Sequence, residues 1–357
     1  MPANPRLRDF GIAIGTLPTG PSNTLTDVPG VRVGHTTLIR GEDVRTGVSA
    51  IWPHDGNPMS ERVYAGIHCL NGYGEMTSRS VIDEWGLLCS PVLVTGTSNV
   101  GMALHASTRY LAQRYPEQAR EEIPIALVAE CDDGFLHDHL TFALTEQDVW
   151  AALDSATSDP VREGCVGGGT GMICYSFKGG VGSASRVVKT EAGKFTVGVL
   201  VQTNFGRRGR LTIAGVPVGQ AIADLKPEDP TQDGSCIGVV ATDAPLHAHT
   251  LRRMAQRMGL GLARTGSAAS DGSGEIFLAF STAQRIPYRV PGGKMQVTLL
   301  PEGSYGNLML NQLFEAVVDA SEEAVINALL AAETMTGRGG RVVHALPHDR
   351  LREMLAK

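Results

Sequence analysis

Asp233-Gly234-Ser235-Cys236-Ile237-Gly238-Val239-Val240-Ala241-Thr242-Asp243-Ala244-Pro245 is the stretch around which the rest of the chain is organised. A polar, proline-rich run, Lys226-Pro227-Glu228-Asp229-Pro230-Thr231-Gln232, leads into it. The apolar residues after Ser235 are rich in Val and Ile and lie between turn signals, which reads as a short buried strand. Asp243 is expected to N-cap a helix with Pro245 in its first turn. Ser235 then stands at the mouth of a buried strand, behind a loop that can be cut. Gly234 has no Cβ, so a hydroxyl can come close to its carbonyl. That suits a serine attacking its own preceding peptide bond: an N→O acyl shift gives an ester, and water frees Ser235 as a new amino terminus. Such a terminus carries its own base, an α-amine titrating near ~7.7–8.0. The same residues also read as a plain Gly-Ser turn before a strand, and the stretch alone leaves both readings open.

Outside this stretch the composition is that of an ordinary globular protein. The 357 residues, 42% hydrophobic and 19% charged, allow two or three domains and also fit one large one, with no staples needed. A net charge of -6 argues against a nucleic-acid surface. The six cysteines, at 69, 89, 131, 165, 174 and 236, form no Cys-x-x-Cys pair and are expected to be reduced. No apolar run approaches the ~20 residues of a membrane span, and the first residues lack a signal-peptide core. The expectation is a cytoplasmic enzyme without nucleic-acid or membrane partners. The His137/His139 and His247/His249 pairs are too sparse for a zinc site, so neither metal nor cofactor is expected.

Strand patterns occur at 28–38, 47–52, 91–96, 123–130, 195–204, 274–281 and 295–300. Helical patterns occur at 76–85, 101–114 and 244–263, and as a pair at 305–318 and 321–333, the second capped by Ser321. Thr145 and Asp148 form a capping pair that opens a helix to about Ser155. The glycine-dense block 164–182 lacks the spacing of a dinucleotide or phosphate loop and reads as close backbone packing around a pocket. Strands and helices mix without strict alternation, which favours a layered α/β sandwich.

Several blocks, in order, resemble the L-aminopeptidase/D-esterase and β-peptidyl aminopeptidase family of self-cleaving serine peptidases. They are the junction at Gly234-Ser235, Thr26 to His35, Asn71 to Thr77, Gly167 to Met172 with Phe177 to Gly180, Val201 to Gly206, Asp271-Gly272-Ser273-Gly274-Glu275 and Thr336-Gly337-Arg338. The resemblance implies a four-layer αββα sandwich of the self-processing aminopeptidase/ornithine acetyltransferase type. It also implies a single catalytic domain, 1–357, cut into an α chain 1–234 and a β chain 235–357, and an assembly of αβ pairs into a tetramer or larger.

Residue by residue, the resemblance makes Ser235 the nucleophile and groups it with Ser273 and Glu275. The latter two, spaced by two in a strand start, would share a face. Either this pair or the Ser235 α-amine would be the general base. Asn204, at a strand end, matches the oxyanion asparagine. Glu130 matches the glutamate that holds a substrate ammonium. Asp132 stands where the family usually has a bulkier residue, and it is expected to strengthen selection for cationic amino termini. The implied substrates are small peptides, amides or esters of L-, D- or β-amino acids. The rival readings are an acyltransferase of the ornithine acetyltransferase type, whose new terminus is a threonine, and an uncut, non-enzymatic oligomeric scaffold.

Overall fold

The computed structural model describes residues 5–228, 234–302 and 309–356. The long strands are β1 (Arg32–Arg40), β2 (Val44–Trp52), β3 (Glu61–Cys69), β4 (Val92–Gly96), β5 (Leu127–Cys131), β6 (Gly180–Thr190), β7 (Gly193–Asn204), β8 (Ser235–Thr242) and β9 (Gly274–Ser281). The helices that cover them are α1 (Arg79–Trp85), α2 (Val100–Arg114), α3 (Glu146–Asp154), α4 (Ala248–Arg264), α5 (Met309–Ala331) and α6 (His348–Leu355). One sheet runs β1-β2-β4-β5, and the other has the central order β3-β9-β8-β7-β6. Strand β8 lies in the middle of the second sheet, antiparallel to β7 and parallel to β9.

Alternation along the strands builds the layers. Ile237, Val239 and Ala241 of β8 join Ile276, Leu278 and Phe280 of β9, and Val92, Val94, Leu127 and Ala129 of the first sheet, in a core between the sheets. The opposite face of β8 and β9, with Cys236, Val240, Phe277 and Ala279, packs under α4 and α5. Leu93 and Val128 on the outer face of the first sheet pack under α2 and α3. The result is the αββα sandwich that the resemblance implied. Among the described residues, no helix is long and apolar enough to cross a membrane.

Glycines in the dense block allow layers to touch: a Cβ on Gly182 would sit 2.0 Å from the Ala324 carbonyl oxygen of α5. The Thr145 cap forms as expected, with Asp148 Oδ2 accepting from the Thr145 N–H at 2.9 Å and Thr145 Oγ1 accepting from the Asp148 N–H at 3.3 Å.

Four local expectations are corrected. Asp243 caps no helix; its carboxylate accepts the Thr196 N–H across the sheet at 2.6 Å, and α4 begins at Ala248 behind His247. Ser321 starts no new helix, because α5 is continuous through it. Its polar residues are buried: Glu323 meets Arg186 at 2.6 Å and Arg8 at 3.0 Å, and Asn327 accepts the Leu7 N–H at 3.0 Å. The segment 123–126 is not strand, and Ile123 and Ile125 are exposed there. Residues 295–300 form no strand either. The beginning of the helix expected at 305–318 and residues 229–233 of the expected cut loop lie outside the described residues.

Candidate active site

Ser235 is the first residue of β8, and two other strand ends meet it. Asn204, the last residue of β7, is its antiparallel partner, and Gly274, the first of β9, its parallel partner. The Gly274 N–H donates to the Gly234 carbonyl oxygen at 2.9 Å. The approach is tight. A Cβ on Gly234 would lie 2.3 Å from the Asn204 carbonyl oxygen, and one on Gly274 would lie 2.4 Å from that of Tyr73. The backbone ahead of Ser235 is therefore clamped on both sides, which only glycine permits at these two positions.

Ser235 is buried, and its Oγ has no hydrogen-bond partner among the described residues. The Cys131 thiol lies beside it; burial pushes that thiol up to about 12, so it is a neutral neighbour. An unpartnered buried hydroxyl is costly unless it has a task.

Ser273 and Glu275 do share a face: Ser273 Oγ donates to Glu275 Oε1 at 2.5 Å. Glu275 is buried, and its Oε2 has no hydrogen-bond partner among the described residues. Burial raises its pKa, against the lowering effect of the Ser273 hydroxyl and Asn71. The pair opens into a narrow cleft that Gly234 also lines, while Ser235 and Gly234 line a larger cavity. The hydroxyl and the Ser–Glu pair thus meet at the Gly234 backbone, and no hydrogen bond links Ser235 Oγ to Ser273 in this uncut chain.

The larger cavity, of about 710 Å³, is lined by Ser235, Asn204, Glu130, Asp132, Thr97 and Arg341 among others. Glu130, at the end of β5, is 4% exposed. It accepts the Glu75 N–H at 2.9 Å and the Thr97 hydroxyl. Burial raises its pKa; those two hydrogen bonds lower it, and the charges of Asp132 and Asp133 raise it further. A buried carboxylate held by two donors, with its charge uncompensated, is what an incoming ammonium would neutralise. Thr97 and Glu75 carry no distinctive sequence signal. Thr95 pairs with Glu130 across β4 and β5, so the chain after Gly96 is bound to pass over it.

Asn204 faces the cavity with its groups engaged: Oδ1 accepts the Ile173 N–H at 2.9 Å, and Nδ2 donates to the Asp132 carbonyl oxygen at 2.9 Å. The amide NH2 has two donors, so a second N–H is left to serve an oxyanion. Asp132 is exposed, and its carboxylate accepts the Gly134 N–H at 2.8 Å and faces His139 Nε2 at 3.0 Å. The same ring nitrogen lies 3.5 Å from buried Asp133. Asp132, Asp133 and His139 are the residues here that could hold a cation, their ligand atoms lying within 4.8 Å of one another. The geometry is equally that of a protonated imidazole between two acids, and the His139 pKa is raised, first by the Asp133 carboxylate beside it.

Comparison with known proteins agrees with this geometry. The sequence pattern described as peptidase family S58 matches residues 23–343. The chain is 43% identical over 373 aligned positions to the β-peptidyl aminopeptidase BapA of Sphingosinicella xenopeptidilytica, covering 99% of this chain and 91% of that one. Its fold superposes with a TM-score of 0.91 on the L-aminopeptidase D-Ala-esterase/amidase of Ochrobactrum anthropi, at 44% identity and over 99% and 98% of the two chains. That structure is described as a prototype for the serine aminopeptidases and a variant of the Ntn hydrolase fold. A β-aminopeptidase of Burkholderia sp. superposes with a TM-score of 0.88, at 41% identity and over 99% and 98%.

Proposed function

The chain belongs to peptidase family S58 and is a serine aminopeptidase, and from that premise we propose that it completes its own active site by cutting Gly234–Ser235. The observation that carries the proposal is the clamped Gly234 carbonyl beside a buried Ser235 hydroxyl that has no hydrogen-bond partner among the described residues.

Ser235 Oγ attacks the Gly234 carbonyl carbon, and the Gly274 N–H receives the developing oxyanion. Before the cut the Ser235 nitrogen is an amide and cannot act as a base. Glu275, acting through Ser273, is therefore the base of this first step, and burial raises its pKa, which makes it a stronger proton acceptor than an ordinary carboxylate. Collapse breaks the Gly234–Ser235 C–N bond and leaves an ester on Oγ with a free Ser235 amine. Water hydrolyses the ester, giving a Gly234 carboxylate and an N-terminal serine. The pieces 1–234 and 235–357 remain one catalytic domain, because β8 is central to its sheet.

Turnover uses the same hydroxyl. Glu130 takes the substrate ammonium, and Asp132 adds negative charge at the cavity rim. Ser235 Oγ attacks the substrate carbonyl with the new α-amine available as a second base. Asn204 donates the second N–H of its Nδ2 to the oxyanion. Collapse breaks the substrate's scissile C–N or C–O bond and expels the amine or alcohol, which takes up the proton removed from Oγ. Water then hydrolyses the acyl-enzyme and releases the amino-terminal residue. The relatives are, by name, a β-peptidyl aminopeptidase and an L-aminopeptidase D-Ala-esterase/amidase, and we extend to this chain small peptides, amides and esters of such residues. Assembly of the αβ pairs into a tetramer or larger in the cytoplasm belongs to the same reading, and light scattering of the purified enzyme tests the assembly.

A matched pair of substrates tests the function. An aminoacyl p-nitroanilide is hydrolysed and its N-acetyl derivative is not; equal turnover of both would remove Glu130 from the account.

A further inference from the structure

Arg341 lines the same cavity as Ser235 and Glu130. Its guanidinium lies over the Phe135 ring at 4.9 Å and donates to the Phe135 carbonyl oxygen at 3.2 Å. Among the described residues no carboxylate stands within ion-pair distance of it. A guanidinium has five N–H donors in a planar fork, so most of its donor capacity stays open. The residue is well placed by backbone structure. It sits in the hairpin that pairs Met335 with Val343 and Thr336 with Val342. That hairpin is fastened to the loop after Glu130 by the Arg338 N–H, which donates to the Leu136 carbonyl oxygen at 2.8 Å. Arg341 is therefore tied through this hairpin to the loop that follows Glu130.

The cavity is thus charged in two senses. Glu130, buried, offers a negative floor; at the rim, exposed Arg341 adds a positive group beside the negative one of Asp132. An arginine fork matches a carboxylate in shape and charge. We infer that Arg341 binds the C-terminal carboxylate of the substrate itself, so that the preferred substrates are short peptides with both ends free. This rests on the aminopeptidase reading above, with the ammonium on Glu130. The size agrees: a cavity of about 710 Å³ is in the range of small-ligand pockets, so it holds a di- or tripeptide while a long chain leaves it. No carboxylate is left over on a C-terminal amide to use the arginine.

The test compares L-alanyl-L-alanine and β-alanyl-L-alanine with their C-terminal primary amides, on wild type, Arg341→Ala and Arg341→Lys. Wild type is expected to favour the free acids, with the preference shrinking as salt rises. Arg341→Ala is expected to lose about tenfold in kcat/KM on the acids, mostly through KM, and less than twofold on the amides. Arg341→Lys is expected to recover part of the loss. Self-cleavage of each variant, read on a denaturing gel, serves as the folding control. Equal losses on acid and amide, or no loss on either, would overturn the carboxylate site and leave the aminopeptidase reading intact. If cut wild-type enzyme hydrolyses neither acid nor amide, the aminopeptidase reading fails first and this inference falls with it.

Discussion

Gly274 holds Gly234: the N–H of one donates to the carbonyl oxygen of the other at 2.9 Å, so the strand bearing the Ser273–Glu275 pair also grips the bond ahead of Ser235. Gly274→Ala places a Cβ 2.4 Å from the Tyr73 carbonyl oxygen, and backbone has to shift. Self-cleavage is expected to slow by at least about tenfold as the donor moves off the carbonyl. A time course of precursor loss on a denaturing gel measures it, and an unchanged rate would detach Gly274 from the chemistry.

Glu275→Gln keeps the shape of the side chain and removes the base. Precursor is expected to accumulate, with cutting slower by about 10²–10⁴-fold. Ser273→Ala, which breaks the 2.5 Å link, is expected to behave alike. Normal cutting in Glu275→Gln would require another base before the α-amine exists.

Glu130→Gln separates the two activities. Self-cleavage involves no ammonium and is expected to proceed normally, while kcat/KM on amine-bearing amides falls by about 100-fold. Only the ionised carboxylate attracts an ammonium, and burial raises the Glu130 pKa above its ordinary 4.5. The acidic limb of kcat/KM is therefore expected above 4.5. Stability carries the same sign: with the folded value raised, the folded state binds more protons in this range and loses stability as pH rises. Glu130→Gln is thus expected to have a higher Tm than wild type at neutral pH, with the gap closing as pH falls below about 4.5.

His139 has the same sign, at a higher pH and from a favourable charge. Its pKa is raised above 6.5 by Asp133 and Asp132, so its contribution is fully present below 6.5 and is lost as pH rises through the folded value. The Tm of His139→Gln is expected to fall short of wild type below that pH and to converge with it in alkaline buffer. A gap constant with pH would mean that the ring acts by packing alone.

The inner strands were legible because their residues alternate between two apolar layers, as in β8 and β9, and because Gly-Ser and Asp-Gly-Ser mark their starts. Helix boundaries were less so. Asp243 has the residue type of a cap, but its carboxylate is taken by the Thr196 N–H on a neighbouring strand, a partner 47 positions away in sequence. Ser321, Glu322 and Glu323 look like a helix end; they are buried in mid-helix because Arg8, Arg186 and Arg264 arrive from elsewhere to meet the acids.

At the site, Ser235, Ser273, Glu275, Asn204 and Glu130 were named from motif resemblance, and the fold brings them to two openings that share Gly234. Thr97, the Gly274 N–H and Arg341 were not. A backbone donor has no sequence signature, and a single arginine in a glycine-rich loop shows its use only when the loop is seen over the cavity.

The central claim is most directly tested by intact mass spectrometry of freshly purified wild type and of Ser235→Ala. The account predicts two wild-type masses, for 1–234 and 235–357, that sum to the precursor plus one water, and a single uncut mass for Ser235→Ala. A wild-type chain that stays whole while hydrolysing substrate, or a Ser235→Ala chain cut at the same bond, would contradict it.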